Sequence, residues 1–484
     1  MSVSPMKTSS LTLPIGLAWP MVTAGLLAIF ATYWDEAFHT DVGRDSAWAA
    51  PHLLLYGSVA VVGLGVAAWG VLVLHGTRSL RTTLSYRPVL AAGLGALIAL
   101  IAAPIDAAWH VAYGRDAVLW SPPHMLVVFA SITLTLGILA GLPPRARVLA
   151  IAGSVLLLAN AETVVFEYEA DVPQFTEVLY LPILLLSLLL VALAVGRLVD
   201  GRAPVARVVF GYIAARLAIT AVLALMGRST PDLPIAVLGL AVWDLPLRST
   251  THKALAAATA VAGLAWIASL NDLASQPASA LAITAVPFAM ALIAALLLTP
   301  RRTYAIAAVV ALGVSLPLLH QERAEAHDPG QGEAVTAVDL SATVSERKMN
   351  VTATPAGHCD DLRPSRLVAR RAGDTITGAL TQLVSTSRGS CSFVGQLAVP
   401  ADGRWFTYVE FSHNGEPVEA WLPLDAGNDD TLTQTRELYR PTGAGDSIGL
   451  AQASYGSVIY LAGFALLILG LTTARHAGTG QLRR

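Results

Sequence analysis

The chain has 484 residues, of which 55% are hydrophobic and only 13% are charged, and its formal net charge is −2 at pH 7. Soluble domains carry roughly 25% charged residues, and the mean hydropathy of this chain is +0.60. The composition therefore excludes a soluble enzyme and predicts a multi-pass membrane protein, and the small net charge gives no signal for nucleic acid.

Apolar stretches of membrane-spanning length recur along most of the chain. A transmembrane helix needs about 20 mostly apolar residues. We therefore predict a mostly α fold, a polytopic bundle of about twelve spans, of which 232–244 is the shortest. The spans cover residues 14–33, 51–74, 88–108, 122–142, 147–166, 176–197, 206–227, 232–244, 254–270, 280–299, 304–320 and 452–474.

Basic residues lie in alternate loops between these spans. Such loops are cytoplasmic by the positive-inside rule, so both termini are expected inside and residues 321–451 outside. High use of Ala, Leu, Val and Arg is typical of bacterial proteins, so we expect a bacterial cytoplasmic membrane. The loop residues are Arg78, Arg81, Arg87, Arg145, Arg147, Arg197, Arg202, Arg207, Arg248, Lys253, Arg301 and Arg302.

Two expected outer loops carry the same polar pattern. The first is WDEAFHTDVGRDSAWAAPH at 34–52, and the second is IDAAWHVAYGRDAVLWSPPH at 105–124. So many matched polar residues at a membrane surface indicate an internal repeat. The second copy has one extra residue before its Trp. Asp35, His39, Gly43, Arg44, Asp45, Trp48, Pro51 and His52 match Asp106, His110, Gly114, Arg115, Asp116, Trp120, Pro123 and His124.

The repeated residues suit a metal site. Asp35 and His39 are four residues apart, which places both side chains on one face of a helix. His52 follows Pro51, a residue tolerated in a first helical turn. A tight helical hairpin can thus bring one carboxylate and two imidazoles together, a set that holds copper, zinc or iron(II). Asp106, His110 and His124 repeat this set on the next hairpin.

Further loop residues can support these ligands. Asp45 and Asp116 can accept the second ring N–H of a ligating histidine, and Arg44 and Arg115 can orient those carboxylates. Two other interpretations remain open. The repeated Asp and His residues can form a proton relay, or they can hold haem or a structural zinc ion.

Charged residues also occur inside or next to later spans. Intramembrane charges usually pair or line a polar cavity. Glu162 and Arg216 are therefore expected to form a structural pair or to line a pathway. Glu167, Glu169 and Asp171 form an acidic cluster, which we interpret as a solvated external loop, with a metal-attracting vestibule as the alternative.

The sequence changes character between about 325 and 450. Short runs such as AVDLSATV and KMNVTATP alternate with period two, which is typical of half-buried strands. Asn414-Gly415 is the favoured two-residue turn of a hairpin. We predict a small extracytoplasmic β-sandwich, and an oxidising compartment permits a disulfide between Cys359 and Cys391.

These observations divide the chain into four parts. A duplicated helical-hairpin module covers 1–145, and further membrane helices follow at 146–320. The β-sandwich covers 321–450, and 451–484 form a last transmembrane helix with a cytoplasmic tail.

The spacing D-x3-H-x12-H, followed by a second hairpin with x3 and x13 spacing, resembles the C subunit of the particulate methane and ammonia monooxygenases. The stretch DAAWHVAYGRDAVLWSPPHMLVVF also looks like that family, and the resemblance covers about residues 10–145. It implies a copper-dependent membrane enzyme. One copper site would then comprise Asp35, His39 and His52, and the other Asp106, His110 and His124.

The chain also departs from that family. In the methane oxidisers the second site begins with Asn, whereas this chain has Asp106. The family's B subunit has an external β domain with an N-terminal histidine, and His327 in AEAHDPGQGE invites the comparison as a weaker metal candidate. However, residues 328–450 contain no His-x-His partner for it.

We therefore expect a copper-binding membrane protein, with zinc or iron as alternative metals. The resemblance implies oxidation of a small apolar substrate by dioxygen, together with partner subunits of the monooxygenase type. The alternative is copper uptake, handling or sensing without catalysis.

Overall fold

A computed structural model describes residues 11–42, 48–113, 119–172, 176–282, 334–356, 361–372, 374–383, 391–440 and 450–481. The first part of the chain and the C-terminal segment are helical, and the intervening part is a β domain. The helices are α1 Ile15–Val42, α2 Ala50–Thr77, α3 Leu80–Ser85, α4 Arg87–Tyr113, α5 Pro122–Gly141, α6 Arg147–Glu162, α7 Phe166–Glu169, α8 Tyr180–Leu198, α9 Pro204–Leu225, α10 Thr250–Leu270 and α11 Leu450–Gln481.

Within these residues, nine helical segments are long and apolar enough to cross a membrane. Each corresponds to one of the predicted spans, so the mostly helical class, with apolar helices of membrane-spanning length, is confirmed. The predicted number of twelve spans is not confirmed. Span 304–320 lies outside the described residues, as does 280–299 beyond its first three positions.

The predicted short span 232–244 is not an α-helix of membrane-spanning length. It contains a ten-residue 3₁₀ helix, Ile235–Asp244. At one end the Asp232 amide donates to the Glu169 carbonyl over 2.6 Å. At the other, Asp244 Oδ2 accepts from the Ala206 amide over 2.7 Å. A 3₁₀ helix rises about 2.0 Å per residue against 1.5 Å in an α-helix, so this short segment connects both ends of the bundle.

Two antiparallel hairpins, α1–α2 and α4–α5, begin the bundle. We call the end at which α1 finishes and α2 begins the hairpin end. Glycines allow α4 and α5 to approach closely, since a Cβ on Gly137 would lie 2.5 Å from the Ala92 amide nitrogen. Likewise, a Cβ on Gly95 would lie 2.7 Å from the Ala130 carbonyl. Small residues at helix contacts are common in membranes, and here they fix the second hairpin.

The β domain is a closed barrel, and the predicted β-sandwich is wrong. The strand order is β1-β2-β5-β4-β3-β6-β7-β8, and β1 also pairs with β8. Apolar and polar residues alternate along a strand with one buried face in both sandwiches and barrels. The sequence pattern therefore did not distinguish the two folds. The strands are β1 Ala334–Ser345, β2 Lys348–Pro355, β3 Leu362–Arg371, β4 Asp374–Leu383, β5 Ser392–Ala398, β6 Gly403–His413, β7 Glu416–Ala426 and β8 Asp430–Tyr439.

Two local predictions for this domain can be compared with the structure. The β6–β7 hairpin is confirmed, because His413 pairs with Glu416 across the turn. Asn414 and Gly415 both have positive φ, 52° and 87°, as a type I′ turn requires. Cys391 is disulfide-bonded, and Cys359 is the only other cysteine of the chain, although it lies outside the described residues.

The barrel packs on the hairpin end of the bundle. An aromatic patch on its outer surface, including Phe406, Tyr408 and Trp421, packs around Val172. Beside the patch, Arg371 Nη1 lies 2.8 Å from Asp171 Oδ1. Apolar contact and an ion pair therefore fix the barrel over the loop that follows α7.

Candidate metal centre

Asp35, His39 and His52 converge at the hairpin end. His52 Nε2 lies 3.0 Å from Asp35 Oδ1, and His39 Nε2 lies 3.9 Å from the same oxygen. One donor atom from each of the three side chains lies within 4.8 Å of the other two. Each of the three residues is half-buried. The sequence-predicted residues of the first hairpin therefore form one cluster.

Local structure accounts for this convergence. Asp35 and His39 are one turn apart near the end of α1, so they share a face. Pro51 occupies the first turn of α2, where its missing N–H costs no hydrogen bond. His52 therefore projects from the start of α2 towards α1, and its ring stacks on Tyr56 with centroids 6.0 Å apart.

The cluster fits a metal ion. Tetrahedral donors about 2.1 Å from an ion lie about 3.4 Å from one another, close to the two distances from Asp35 Oδ1. That oxygen is buried, yet within the described residues it takes part in no hydrogen bond. Two imidazoles thus approach one buried carboxylate oxygen, an arrangement that suits both an Asp–His ion pair and coordination of a shared cation.

The second hairpin repeats part of this geometry. His124 Nε2 lies 3.3 Å from Asp106 Oδ1, which matches the contact between His52 and Asp35. Ser121 caps α5, and its hydroxyl oxygen accepts the His124 amide over 3.4 Å. The side chain of His110, the expected third ligand, lies outside the described part of α4.

Contacts from three other elements hold the second hairpin turn. The Leu119 amide donates to Glu167 Oε1 over 2.5 Å. The indole Nε1 of Trp120 donates to the Val164 carbonyl over 3.0 Å. The Tyr460 hydroxyl of α11 donates to the Trp120 carbonyl. These contacts fix the start of α5, and with it His124.

The expected supporting residues Arg44, Asp45, Arg115 and Asp116 all lie outside the described residues. Two buried carboxylates lie nearby: Glu36, which is not part of the repeated motif, and Glu167, which was predicted to belong to an external acidic cluster. Glu36 interacts electrostatically with both His39 and His124. Glu167 interacts with Glu36 and His124. The sequence signal for Glu36 was an acidic residue directly after the candidate ligand Asp35 on an apolar helix. Through His39 and His124, Glu36 interacts with both hairpins.

The end of α1 is held by the barrel and by the loop after α9. The Ser229 amide donates to Asp41 Oδ2 over 2.8 Å, and its hydroxyl donates to Asp41 Oδ1. Arg436 Nη2 donates to the Asp41 carbonyl over 3.0 Å. Burial lowers the pKa of Arg436 to about 10. The turn of α1 that carries His39 is therefore braced from outside the hairpin.

Glu162 and Arg216, expected either to pair or to line a pathway, form no ion pair with each other. Arg216 Nη1 instead donates to Glu169 Oε2 over 2.5 Å. Glu167 and Glu169 are buried, so the solvated-loop interpretation of the acidic cluster is also wrong. The side chains of Glu167 and Glu169 face the interior of the bundle, because the short helix α7 continues the direction of α6 and does not turn out into solvent.

His327, the weaker metal candidate, lies outside the described residues. Among the residues that the structure describes, Asp35, His39 and His52 are the one group of three or more His, Cys, Asp or Glu side chains with donor atoms this close together.

Comparisons with models of known protein families, with curated proteins and with solved structures gave no match to this chain.

Proposed function

We propose that this protein binds metal ions at the ends of two successive membrane hairpins, and that the metal is copper. The observation that supports the proposal most directly is the Asp35, His39 and His52 cluster, whose donor atoms lie within 4.8 Å of one another. Ionisable groups at membrane depth are costly and usually functional. The matching Asp106–His124 contact of 3.3 Å supports a second site of the same kind.

The donor chemistry favours copper. Two imidazoles and one carboxylate suit Cu(II), Zn(II) and Fe(II), and among divalent ions Cu(II) binds most tightly to such N/O sites. Three protein ligands leave a coordination position open for another ligand. When bound, copper would supply redox chemistry with dioxygen. The chain itself would hold the ion through Asp35, His39 and His52.

Access from the bilayer supports a role in oxidising a small apolar substrate, as in the copper membrane monooxygenases that the motif resembles. Leu53 and Tyr56, next to His52 on α2, are exposed on the outside of the bundle. In a membrane, these side chains face lipid, so an apolar molecule dissolved in the bilayer can reach the cluster without crossing water. Partner subunits of the monooxygenase type would complete such an enzyme.

The second candidate function is copper uptake, handling or sensing without catalysis. One observation favours it: the barrel packs beside the cluster, since Arg436 contacts Asp41, two residues from His39. A folded domain in that position can control entry of an ion or respond to its binding. Oxygen-dependent oxidation of a small hydrocarbon or ammonia by copper-loaded membranes would separate catalysis from handling.

We also propose an orientation in a bacterial cytoplasmic membrane. Arg87 and Arg147 begin helices at the end opposite the hairpin end, and Arg197 lies in the last turn of α8 at that same end. The positive-inside rule then puts the hairpin end and the barrel outside and both termini in the cytoplasm.

Metal analysis of purified protein tests the central proposal. We expect about two equivalents in the wild type, about one in His39→Ala and none in His39→Ala/His110→Ala. The matched control is His252→Ala, which alters a histidine at the start of α10, away from both hairpins. Electron paramagnetic resonance of the same samples distinguishes Cu(II) from zinc. Unchanged metal content in the double variant would contradict the proposal.

A further inference from the structure

A second polar cluster lies inside the bundle, apart from both hairpin sites. It contains two buried acids, Glu162 at the end of α6 and Glu169 at the end of α7, and one buried base, Arg216 of α9. Two carboxylates and one guanidinium leave one negative charge uncompensated if all three groups are ionised. An uncompensated charge is expensive in a membrane interior, so the cluster needs one further positive charge.

Hydrogen bonding assigns Arg216 to Glu169. Arg216 Nη1 donates to Glu169 Oε2 over 2.5 Å and to the Tyr212 hydroxyl over 2.9 Å. Arg216 Nη2 donates to the Asp232 carbonyl over 2.8 Å. Nothing comparable joins Arg216 to Glu162. The carboxyl group that lacks its own counter-charge is therefore Glu162.

The contacts of Ser187 indicate that the further positive charge is a proton on Glu162. Ser187 Oγ lies 2.9 Å from both Glu162 Oε1 and the Leu184 carbonyl oxygen. A hydroxyl has one hydrogen to donate but two lone pairs with which to accept. Both contacts are satisfied when Ser187 donates to its own helix and a protonated Glu162 donates to Ser187.

The other carboxyl oxygen of Glu162 gives an independent indication. Glu162 is fully buried, and within the described residues its Oε2 has no hydrogen-bond partner, as is also true of Glu169 Oε1. Arg216 compensates the charge of Glu169. On Glu162, which has no such ion pair, a bare carboxylate oxygen would be strongly unfavourable, whereas the carbonyl oxygen of a neutral acid is tolerated at much lower cost.

We propose that Glu162 is a proton-binding site in the membrane bundle, held as a neutral carboxylic acid beside the Glu169–Arg216 ion pair. The ligand is a single proton, bound on Glu162 and hydrogen-bonded to Ser187. This site is separate from metal binding and does not depend on it. The ionisable and hydroxyl groups that surround the cluster are Tyr33 from α1, Glu169 from α7, Tyr180 and Ser187 from α8, Tyr212 and Arg216 from α9, and Asp232 from the loop after α9.

The cluster borders a small cavity, whose lining includes Glu169, Tyr180, Asp232 and Gln276. Burial raises the pKa of Asp232, against the hydrogen bonds from Ser275.

Infrared spectroscopy of the full-length protein in lipid nanodiscs tests this proposal. At neutral pH the wild type should show a carboxylic-acid C=O band that shifts in D₂O. Glu162→Gln should lose the band yet keep its melting temperature, because a neutral amide can replace a neutral acid and still donate to Ser187. Glu410→Gln, which alters a carboxylate paired with Arg366 in the barrel, should keep the band.

Three results would overturn the proposal. Identical carboxylic-acid bands in the wild type and Glu162→Gln would mean that Glu162 is ionised. A band that emerges only after sodium and divalent ions are removed would mean that a metal cation, not a proton, balances the charge. A Glu162→Gln melting temperature that falls as far as that of Glu169→Gln would mean that Glu162 carries structural charge. The Glu169 variant is the reference because it leaves Arg216 without its counter-ion.

Discussion

The two hairpins carry nearly the same motif but lie in different surroundings. In the first, Trp48 is 77% exposed, and the end of α1 is braced at Asp41 by Ser229 and Arg436. In the second, Trp120 is half-buried, and the turn is held by Glu167, Val164 and Tyr460. Yet the Asp–His contact is similar, 3.0 Å against 3.3 Å. A duplicated sequence can thus conserve the ligands while the rest of the chain supplies different support.

Removing the two aspartates should have the largest effect. Asp35→Ala and Asp106→Ala each delete the charged donor of one hairpin, so each variant should bind one metal equivalent less. A ligand present at about 1,000 times its Kd stabilises the native state by about 4 kcal/mol, and each variant should lose a contribution of that order. Metal analysis and thermal unfolding with and without chelator measure both quantities.

The control for this pair is Asp339→Ala, which removes an exposed aspartate from the barrel. It should keep all its metal. Metal loss in only one of the two hairpin variants would break the equivalence of the hairpins.

Glu167→Leu should lower the metal affinity of the second hairpin and leave that of the first unchanged. It leaves the Leu119 amide without its acceptor, at a cost of about 2 kcal/mol for an unsatisfied donor. Support residues around a metal site are worth about 10- to 100-fold in affinity. Copper titration should therefore show one weakened site and one unchanged site. Glu167→Gln keeps an acceptor oxygen and should lose less, and weakening of both sites alike would contradict the assignment.

Ser229→Ala is the corresponding change for the first hairpin. It removes the hydroxyl that donates to Asp41 but keeps the backbone donor, so the expected loss of stability is about 1 kcal/mol. Chemical denaturation and copper titration should show a smaller loss than for Glu167→Leu, confined to the first site. Ser454→Ala, on the exposed start of α11, should change neither quantity. A loss of copper affinity at the second hairpin in Ser229→Ala would show that the contacts supporting the two hairpins are not independent.

The smallest expected difference separates the two tryptophans. Trp120→Phe loses the hydrogen bond to the Val164 carbonyl, worth about 1 kcal/mol. Trp48→Phe should cost less, because most of that side chain is exposed. Denaturant unfolding of both variants measures the difference, and equal losses would show that the surroundings of the two turns matter less than their sequence.

Features that depend on the spacing of nearby residues could be predicted from the sequence. The four-residue step from Asp35 to His39 and the Asn414-Gly415 turn both fix geometry over a few residues, so they could be predicted. Barrel closure could not, because it depends on β1 pairing with β8 rather than on alternation within a strand. The choice of Glu169 over Glu162 as the partner of Arg216 also depends on tertiary packing, since α7 turns Glu169 inward.

The most direct measurement is electron paramagnetic resonance of the His110→Ala variant loaded with one equivalent of Cu(II). In that variant the first hairpin is the intact one, so we expect hyperfine coupling to two imidazole nitrogens, reduced to one in His110→Ala/His52→Ala. A spectrum without imidazole coupling, or one unchanged when both His39 and His52 are replaced by Ala, would contradict metal binding by Asp35, His39 and His52.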